Sequence, residues 1–252
     1  MSNPIVLVTG GSRGLGRNAA LSLAARGSDV VLTYRSNEAE AAKVVAQIEA
    51  LGRKAVALPL DLTQADAIPA FVSKLNAALA ERFGRNRFHG LLNNAGMGEH
   101  ASFETTTPAQ FDALMNTHLR GPFFLTQALL PLLEDGGRIL NVSSGLTRFS
   151  LPGYAAYAAM KGAIEVLTRY LAKELGAREI SVNTIAPGAI STDFGGGAVR
   201  DNADLNRFVA SITALGRPGE ADDIGPVMAT LLSDETRWIN GQRVEASGGM
   251  FL

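Results

Sequence analysis

Short hydrophobic runs alternate with longer amphipathic stretches along the whole chain. The runs are rich in β-branched residues, whereas the longer stretches carry apolar residues at helical spacing. The pattern predicts about seven strands, at residues 5–9, 29–34, 55–60, 90–93, 138–142, 180–185 and 242–245. It predicts helices at residues 15–26, 38–51, 65–83, 108–133, 157–175 and 221–232, the fourth with Thr107 as N-cap and Pro108 at its first position.

Strands that alternate with helices indicate right-handed crossovers and a parallel sheet covered on both faces. The predicted fold class is therefore α/β, a single doubly wound Rossmann-type domain over residues 1–252. No low-complexity linker or fixed repeat divides it. Residues 188–215 depart from the pattern, with weak periodicity and the triplet Gly195-Gly196-Gly197, so a substrate lid is predicted there.

Composition and charge exclude several classes of function. Cysteine is absent, and the three histidines lie in unlike contexts, so no metal site is expected. With 23 basic and 24 acidic residues and no long basic run, nucleic acid and membrane surfaces are not expected partners. No signal peptide or membrane-spanning segment is evident, which predicts a cytoplasmic protein.

A glycine-rich turn follows the first strand and opens the first helix. Its glycines are Gly10, Gly14 and Gly16, spaced GxxxGxG. Such spacing lets the backbone approach a pyrophosphate at a helix N-terminus, with Ser12, Arg13 and Leu15 filling the turn. An ordinary tight turn is the alternative. The GxxxxGK[ST] pattern of a P-loop is absent.

The residues after the second strand favour NADP over NAD. Enzymes that prefer NAD usually carry an acid there for the ribose 2′-hydroxyl, whereas this chain has Arg35 and Ser36. Arg35, helped by Arg13, would pair with a 2′-phosphate. Both arginines could instead be solvated surface residues. A methyltransferase, which also needs an acid at this position, is disfavoured.

A third motif, YxxxK, places Tyr157 and Lys161 on one face of a predicted helix. Ser143 and Ser144 follow the fifth strand, and Asn93-Asn94-Ala95-Gly96 follows the fourth. Together with the glycine turn, these motifs resemble the short-chain dehydrogenase/reductase family. The resemblance extends from Val6 to Ser247-Gly248-Gly249, nearly the whole chain.

The resemblance implies a catalytic group of three residues. Ser144 would hydrogen-bond the substrate oxygen, and Tyr157 would act as general acid or base. Lys161 would bind the nicotinamide ribose and lower the pKa of Tyr157. Bringing that pKa from ~10 to about 7 requires roughly 4 kcal/mol of preferential stabilisation of the phenolate.

The resemblance also implies further cofactor contacts. They are Asp61, Leu62, Asn94, Ala95, Gly96, Pro187, Gly188, Ile190 and Thr192. For Asp61 a purely local helix cap is the alternative. The five residues that flank the catalytic segments, and could line the substrate pocket or simply pack, are Met97, His100, Phe149, Tyr154 and Phe194.

One position departs from the family pattern. His118 stands where the family usually has an asparagine that holds a water in a proton relay. A neutral histidine can donate or accept in its place, so His118 is a candidate catalytic residue. A helix histidine that only packs is the alternative.

The predicted function is hydride transfer between NADP(H) and a small-molecule carbonyl or secondary alcohol. Reduction of 3-oxoacyl groups on acyl carrier protein is an alternative: Arg178 fits one docking position beside the active-site mouth, but Asp135 stands at another. A non-enzymatic NADP sensor is less favoured because the catalytic residues are all present. The resemblance also implies a homodimer or homotetramer, with Trp238 at a subunit contact or partly buried in the core.

Overall fold

All strands of the described chain lie parallel in one sheet. The computed structural model describes residues 3–252. Within that range the sheet has seven strands in the order β3-β2-β1-β4-β5-β6-β7. The strands are β1 Ile5–Val8, β2 Asp29–Tyr34, β3 Ala55–Pro59, β4 Phe88–Asn93, β5 Leu133–Val142, β6 Ser181–Pro187 and β7 Arg243–Ala246.

Helices cover both faces of the sheet, which confirms the predicted doubly wound α/β fold. They are α1 Gly14–Ala25, α2 Glu38–Ala50, α3 Ile68–Ala78, α4 Pro108–Met115, α5 Gly121–Leu129, α6 Ala155–Glu174, α7 Ala198–Asp201, α8 Ala203–Ser211 and α9 Ala221–Leu231. Alternate residues of β1 face opposite sides of the sheet. Val6 and Val8 pack with α1, α2 and α9 on one face, whereas Ile5 and Leu7 pack with α3 and α5 on the other.

Two predicted helices are interrupted. The stretch 65–83 contains a 3₁₀ turn, α3 and the π-helical turn Leu79–Phe83. The stretch 108–133 is divided by the π-helical turn Asn116–Arg120, because Pro122 lacks the N–H that an α-helix would use there. It also ends early, since Leu133 already pairs with Phe88 as the first residue of β5.

The predicted lid segment is more regular than its sequence suggests. It contains a 3₁₀ turn at Phe194–Gly197 followed by α7 and α8. The triplet Gly195, Gly196 and Gly197 has φ values of +60°, +73° and +79°. These left-handed conformations are open to glycine at little cost and explain the triplet.

The topology places a crevice between β1 and β4, where the strand order reverses. In open α/β sheets, ligands bind at the carboxyl ends of the strands near such a point. No helix among residues 3–252 is long and apolar enough to cross a membrane. Nor do these residues contain a group of three or more His, Asp or Glu that could hold a metal ion.

Candidate active site

The glycine turn after β1 packs tightly against the turn after β4. Gly10 has φ +66°, and a Cβ built there would lie 2.9 Å from the Cα atom of Ala95. A Cβ on Gly16 would overlap the carbonyl oxygen of Gly10. Both positions therefore require glycine, and no side chain caps the N-terminus of α1 within residues 3–252.

Asn94 and Thr9 brace this turn. The Asn94 side-chain amide donates to the carbonyl oxygens of Thr9 (2.9 Å) and Gly10 (3.3 Å). The hydroxyl oxygen of Thr9 accepts from the backbone N–H groups of Asn94 and Ala95 at 2.9 and 3.0 Å. The structure thus gives the Asn94 side chain a bracing contact to the glycine turn, and sequence reasoning had assigned it only to the cofactor.

The end of β2 holds the other side of the glycine turn. Thr33 accepts from the Gly10 N–H through its hydroxyl (3.1 Å) and from the Gly11 N–H through its carbonyl (2.9 Å). Arg35 and Ser36 directly follow this strand and are exposed, as is Arg13 in the turn. Among residues 3–252, neither arginine side chain has a hydrogen bond or ion pair. Two cationic groups are therefore available at this edge.

The residues after β3 make local contacts. One carboxylate oxygen of Asp61 accepts from the N–H (3.0 Å) and the hydroxyl (2.8 Å) of Thr63. These bonds form a local turn, and the helix cap considered as the alternative for Asp61 is not formed, because the next helical turn begins at Ala65 with Gln64 as its N-cap. The Leu62 side chain is buried in the core cluster beneath α3 and α5.

The segment after β6 lies across the crevice from the glycine turn. A Cβ on Gly188 would lie 2.9 Å from the Cα of Ser247, so this turn packs on the chain after β7. Ile190 forms a β-bridge with Gly219, and Thr192 is buried with its hydroxyl accepting from the Phe194 N–H at 3.3 Å. A Cβ on Gly14 would lie 3.8 Å from the Thr192 Cβ, so this segment lies next to the glycine turn.

The predicted catalytic residues meet where α6 begins and β5 ends. Tyr157 and Lys161 are both buried, and the Lys161 Nζ lies 5.6 Å from the Tyr157 ring centroid. Lys161 donates to the Val142 carbonyl at 2.7 Å, and the Ser144 hydroxyl lies close enough to Tyr157 to lower its pKa slightly. The Ser144 hydroxyl oxygen also accepts from the Leu146 N–H at 3.2 Å.

Burial controls the ionisation of Tyr157 and Lys161, and the expectation that the pKa of Tyr157 falls is wrong. Burial raises the pKa of Tyr157 above its usual range, against a smaller opposing effect of the Ser144 hydrogen bond. Burial lowers the pKa of Lys161 to about 7. The predicted fall in the pKa of Tyr157 is not found, because desolvation of the phenolate dominates. Tyr157 thus keeps its proton at neutral pH.

His118 lies directly against Tyr157, the predicted catalytic tyrosine. Its ring meets the Tyr157 ring edge-on, with centroids 5.1 Å apart. Its Nε2 lies 2.8 Å from the Met97 carbonyl oxygen and 3.3 Å from the Met97 backbone nitrogen, and the shorter contact favours a ring proton on Nε2. The Nδ1 atom is buried and has no hydrogen-bond partner within the described range. Burial, then the charge of Lys161, holds the pKa of His118 well below its usual range, so the ring is neutral.

Four of the predicted pocket residues lie in three different surroundings. Phe194 reaches the catalytic centre, with its ring centroid 6.0 Å from that of Tyr157, and it remains 47% exposed. His100 and Tyr154 pack edge-on at 5.0 Å. Phe149 instead packs against Phe251 near the C-terminus. Phe194 therefore offers an open apolar surface beside the reacting group.

Within a single chain Arg178 does not lie beside the active-site mouth, so the docking position expected for it is wrong. Arg178 precedes β6, at the amino ends of the strands, whereas Ser144 follows the carboxyl end of β5. Its Nε donates to Asp135 at 2.7 Å, and its other nitrogens donate to the Leu130 and Leu133 carbonyls. The ion pair with Asp135 therefore holds the Arg178 guanidinium away from the active-site mouth.

Sequence reasoning missed two charged residues that support this site. Glu165 lies one helical turn beyond Lys161, and Arg243 begins β7. They pair with each other behind Ser144, with 2.8 Å between the Arg243 Nε and a Glu165 carboxylate oxygen. The spacing of Tyr157, Lys161 and Glu165, four residues each, is the signal that could have identified Glu165.

Comparisons with known proteins give consistent matches over nearly the full chain. Residues 10–251 match the family model described as enoyl-(acyl carrier protein) reductase. Tetrahydroxynaphthalene reductase PfmaG of Pestalotiopsis fici is 35% identical, over 97% of this chain and 90% of its own. The promiscuous reductase LugOII, which catalyses keto-reduction at C1 during lugdunomycin biosynthesis, is 40% identical, with a TM-score of 0.94 and coverage of 100% and 99%. The angucycline C-6 ketoreductase LanV, solved with bound NADP, is 35% identical, with a TM-score of 0.94 and coverage of 99% and 96%.

Proposed function

The chain belongs to the short-chain dehydrogenase/reductase family of oxidoreductases, and from this premise we propose that it is an NADP-dependent ketoreductase. The observation that carries the proposal is the meeting of Ser144, Tyr157 and Lys161 beside the glycine turn. A non-enzymatic sensor has no need for a buried, protonated phenol next to a hydroxyl and an amine.

The residues of the crevice fit NADP. The turn at Gly10 and Gly16 leaves no room for a Cβ, and it presents the start of α1 to a pyrophosphate. Arg13 and Arg35 are exposed cations suited to the 2′-phosphate, and no acid follows β2 to bind a 2′-hydroxyl. LanV, which shares the fold, was solved with NADP. When bound, the cofactor supplies the hydride that reduces the carbonyl carbon.

The chain supplies the proton and the orientation. Tyr157 donates its phenolic proton to the carbonyl oxygen as the carbon is reduced, which leaves an alcohol and a phenolate. Ser144 holds the same oxygen with a hydrogen bond, and Lys161 stabilises the phenolate when protonated. Because the pKa of Lys161 is about 7, the amine can exchange a proton near neutral pH. We expect His118, whose ring packs against Tyr157 and whose buried Nδ1 has no partner within residues 3–252, to take part in returning the proton.

The substrate we propose is a polycyclic aromatic ketone. PfmaG is named as a tetrahydroxynaphthalene reductase, and LugOII and LanV are named for keto-reduction at C1 and at C-6 of an angucycline, respectively. The half-exposed Phe194 ring beside Tyr157 suits a flat apolar substrate. The segment 188–215, with α7 and α8, would form the lid over it. Arg178 gives no support to a carrier-protein substrate.

A homo-oligomer, dimer or tetramer, is part of the proposal. Several large apolar side chains on α4, α5 and α6 are exposed: Phe111, Phe123, Phe124, Val166 and Tyr170. Trp238 is 97% exposed, which excludes the core position considered for it. Exposed apolar side chains of this kind favour association.

The test is a panel of ketones with NADPH, followed by the loss of NADPH absorbance. The panel contains a tetralone, a hydroxynaphthalene-derived ketone and a 3-oxoacyl thioester. We expect the bicyclic ketones to be reduced with a higher kcat/KM than the thioester. Reduction of the thioester alone would contradict the substrate class, and NADPH binding without reduction of any carbonyl would support the sensor.

A further inference from the structure

Three successive turns of α6 contact three successive residues at the end of β5. Lys161 donates to the Val142 carbonyl, and the Ser144 side chain is a neighbour of Tyr157. Between them, the hydroxyl of Ser143 donates to Glu165 at 2.6 Å. Residues four apart share one helix face, so Glu165 belongs to the same row as the two catalytic side chains.

Glu165 binds both sides of the segment that carries Ser144. The carboxylate oxygen that accepts from Ser143 also lies 2.7 Å from the Thr147 hydroxyl and 2.8 Å from the Arg243 Nε. Its side chain is only 14% exposed. A partly buried carboxylate with three donors on one oxygen fixes its neighbours firmly, because charge-assisted hydrogen bonds are strong.

Arg243 holds the same segment from the β7 side. Its Nη2 donates to the Ser144 carbonyl (3.3 Å) and to the Thr147 hydroxyl (3.2 Å), and its Nη1 donates to Glu245 (2.8 Å). The turn that Thr147 closes also contains Leu146, whose N–H donates to the Ser144 hydroxyl oxygen. That contact occupies a lone pair and leaves the hydroxyl hydrogen free to face Tyr157 or a substrate oxygen.

We propose that Glu165 and Arg243 are positioning residues for Ser144 in the proposed reduction. They fix residues 143–147 on α6 and β7, so that the Ser144 hydroxyl is oriented before substrate binds. Neither touches the reacting atoms. The proposal rests on the proposed function, because only a reaction at Tyr157 makes the orientation of Ser144 useful. Misplacement of a reacting group by about 1 Å can cost roughly 100-fold in rate.

A double-mutant cycle tests the proposal in the full-length enzyme with NADPH and a ketone that it reduces. Glu165→Gln keeps an acceptor oxygen but removes the charge that pairs with Arg243. We expect kcat to fall about tenfold with an unchanged KM for NADPH. In a Ser144→Ala background the same change should cost less than about twofold, because residues that act as a unit are not additive.

The matched control is Glu174→Gln, an exposed position on the same helix, which should leave kcat unchanged. Arg243→Lys keeps the charge but loses the forked geometry, so it should lower kcat less than Arg243→Met. Equal losses from Glu165→Gln in the wild-type and Ser144→Ala backgrounds would overturn the proposal, since Glu165 would then act independently of Ser144.

Amide hydrogen exchange separates this proposal from the proposed function. Glu165→Gln should speed exchange in peptides that cover residues 143–147, and Glu174→Gln should not. If exchange there is unchanged, the positioning role fails whatever the activity. If exchange rises but the wild-type enzyme reduces no ketone, Glu165 still fixes residues 143–147. The proposed function then fails, and with it the role of Glu165 in catalysis.

Discussion

Replacing Lys161 with methionine should stabilise the protein at low pH and lose that advantage at high pH. Lys161 is 5% exposed, and burial lowers its pKa from 10.5 to about 7. At 1.36 kcal/mol per pKa unit, charging this amine in the folded state costs about 5 kcal/mol. The cost is complete below about pH 7 and disappears as the pH rises towards the unfolded value, because the unfolded chain keeps the proton longer.

The Lys161→Met variant avoids that cost but leaves the Val142 carbonyl without its donor, which costs about 1–3 kcal/mol. We therefore expect the variant to be about 2–4 kcal/mol more stable near pH 6, and equal or less stable near pH 10. Urea denaturation at both pH values measures this difference. Lys173→Met, an exposed position on the same helix, is the matched control. A stability difference between Lys161→Met and wild type that does not change with pH would refute the reasoning.

Three further predictions follow from the cofactor edge, the histidine and the apolar surface. Arg35→Asp should weaken NADP binding by about tenfold or more while leaving NAD binding within about twofold, as measured by cofactor titration. His118→Ala should lower kcat about 10- to 100-fold. The pH profile of wild-type kcat should show no histidine titration between about pH 6 and 9, because burial keeps the ring neutral. Unchanged turnover of the variant across this range would show that His118 only packs. Phe123→Glu should shift sedimentation to a smaller species, and an unchanged coefficient would place the subunit contact elsewhere.

Local patterns predicted the fold and the catalytic group. Each strand and crossover helix has its own hydrophobic period, so the sheet could be deduced without long-range information. The YxxxK motif was also recognisable in the sequence, because Tyr157 and Lys161 lie one helical turn apart. Ser144 was assigned through the resemblance to the family, to which its position after the fifth predicted strand contributed.

Long-range contacts and desolvation could not be predicted in this way. The pairing of Glu165 with Arg243 joins residues 78 positions apart, and neither belongs to a recognised motif. The brace from Asn94 to the glycine turn depends on the adjacency of β1 and β4. The pKa of Tyr157 was expected to fall because only the neighbouring amine was considered. The structure shows that burial dominates, and burial depends on the packing of the whole site.

The central claim is that Tyr157 delivers the proton in an NADPH-dependent reduction. The most direct measurement is kcat for a bicyclic ketone with Tyr157→Phe, together with the dissociation constant for NADPH. Removal of the phenolic proton donor should lower kcat by about 100- to 10,000-fold, while NADPH binds with nearly unchanged affinity. Full turnover by Tyr157→Phe would contradict the account.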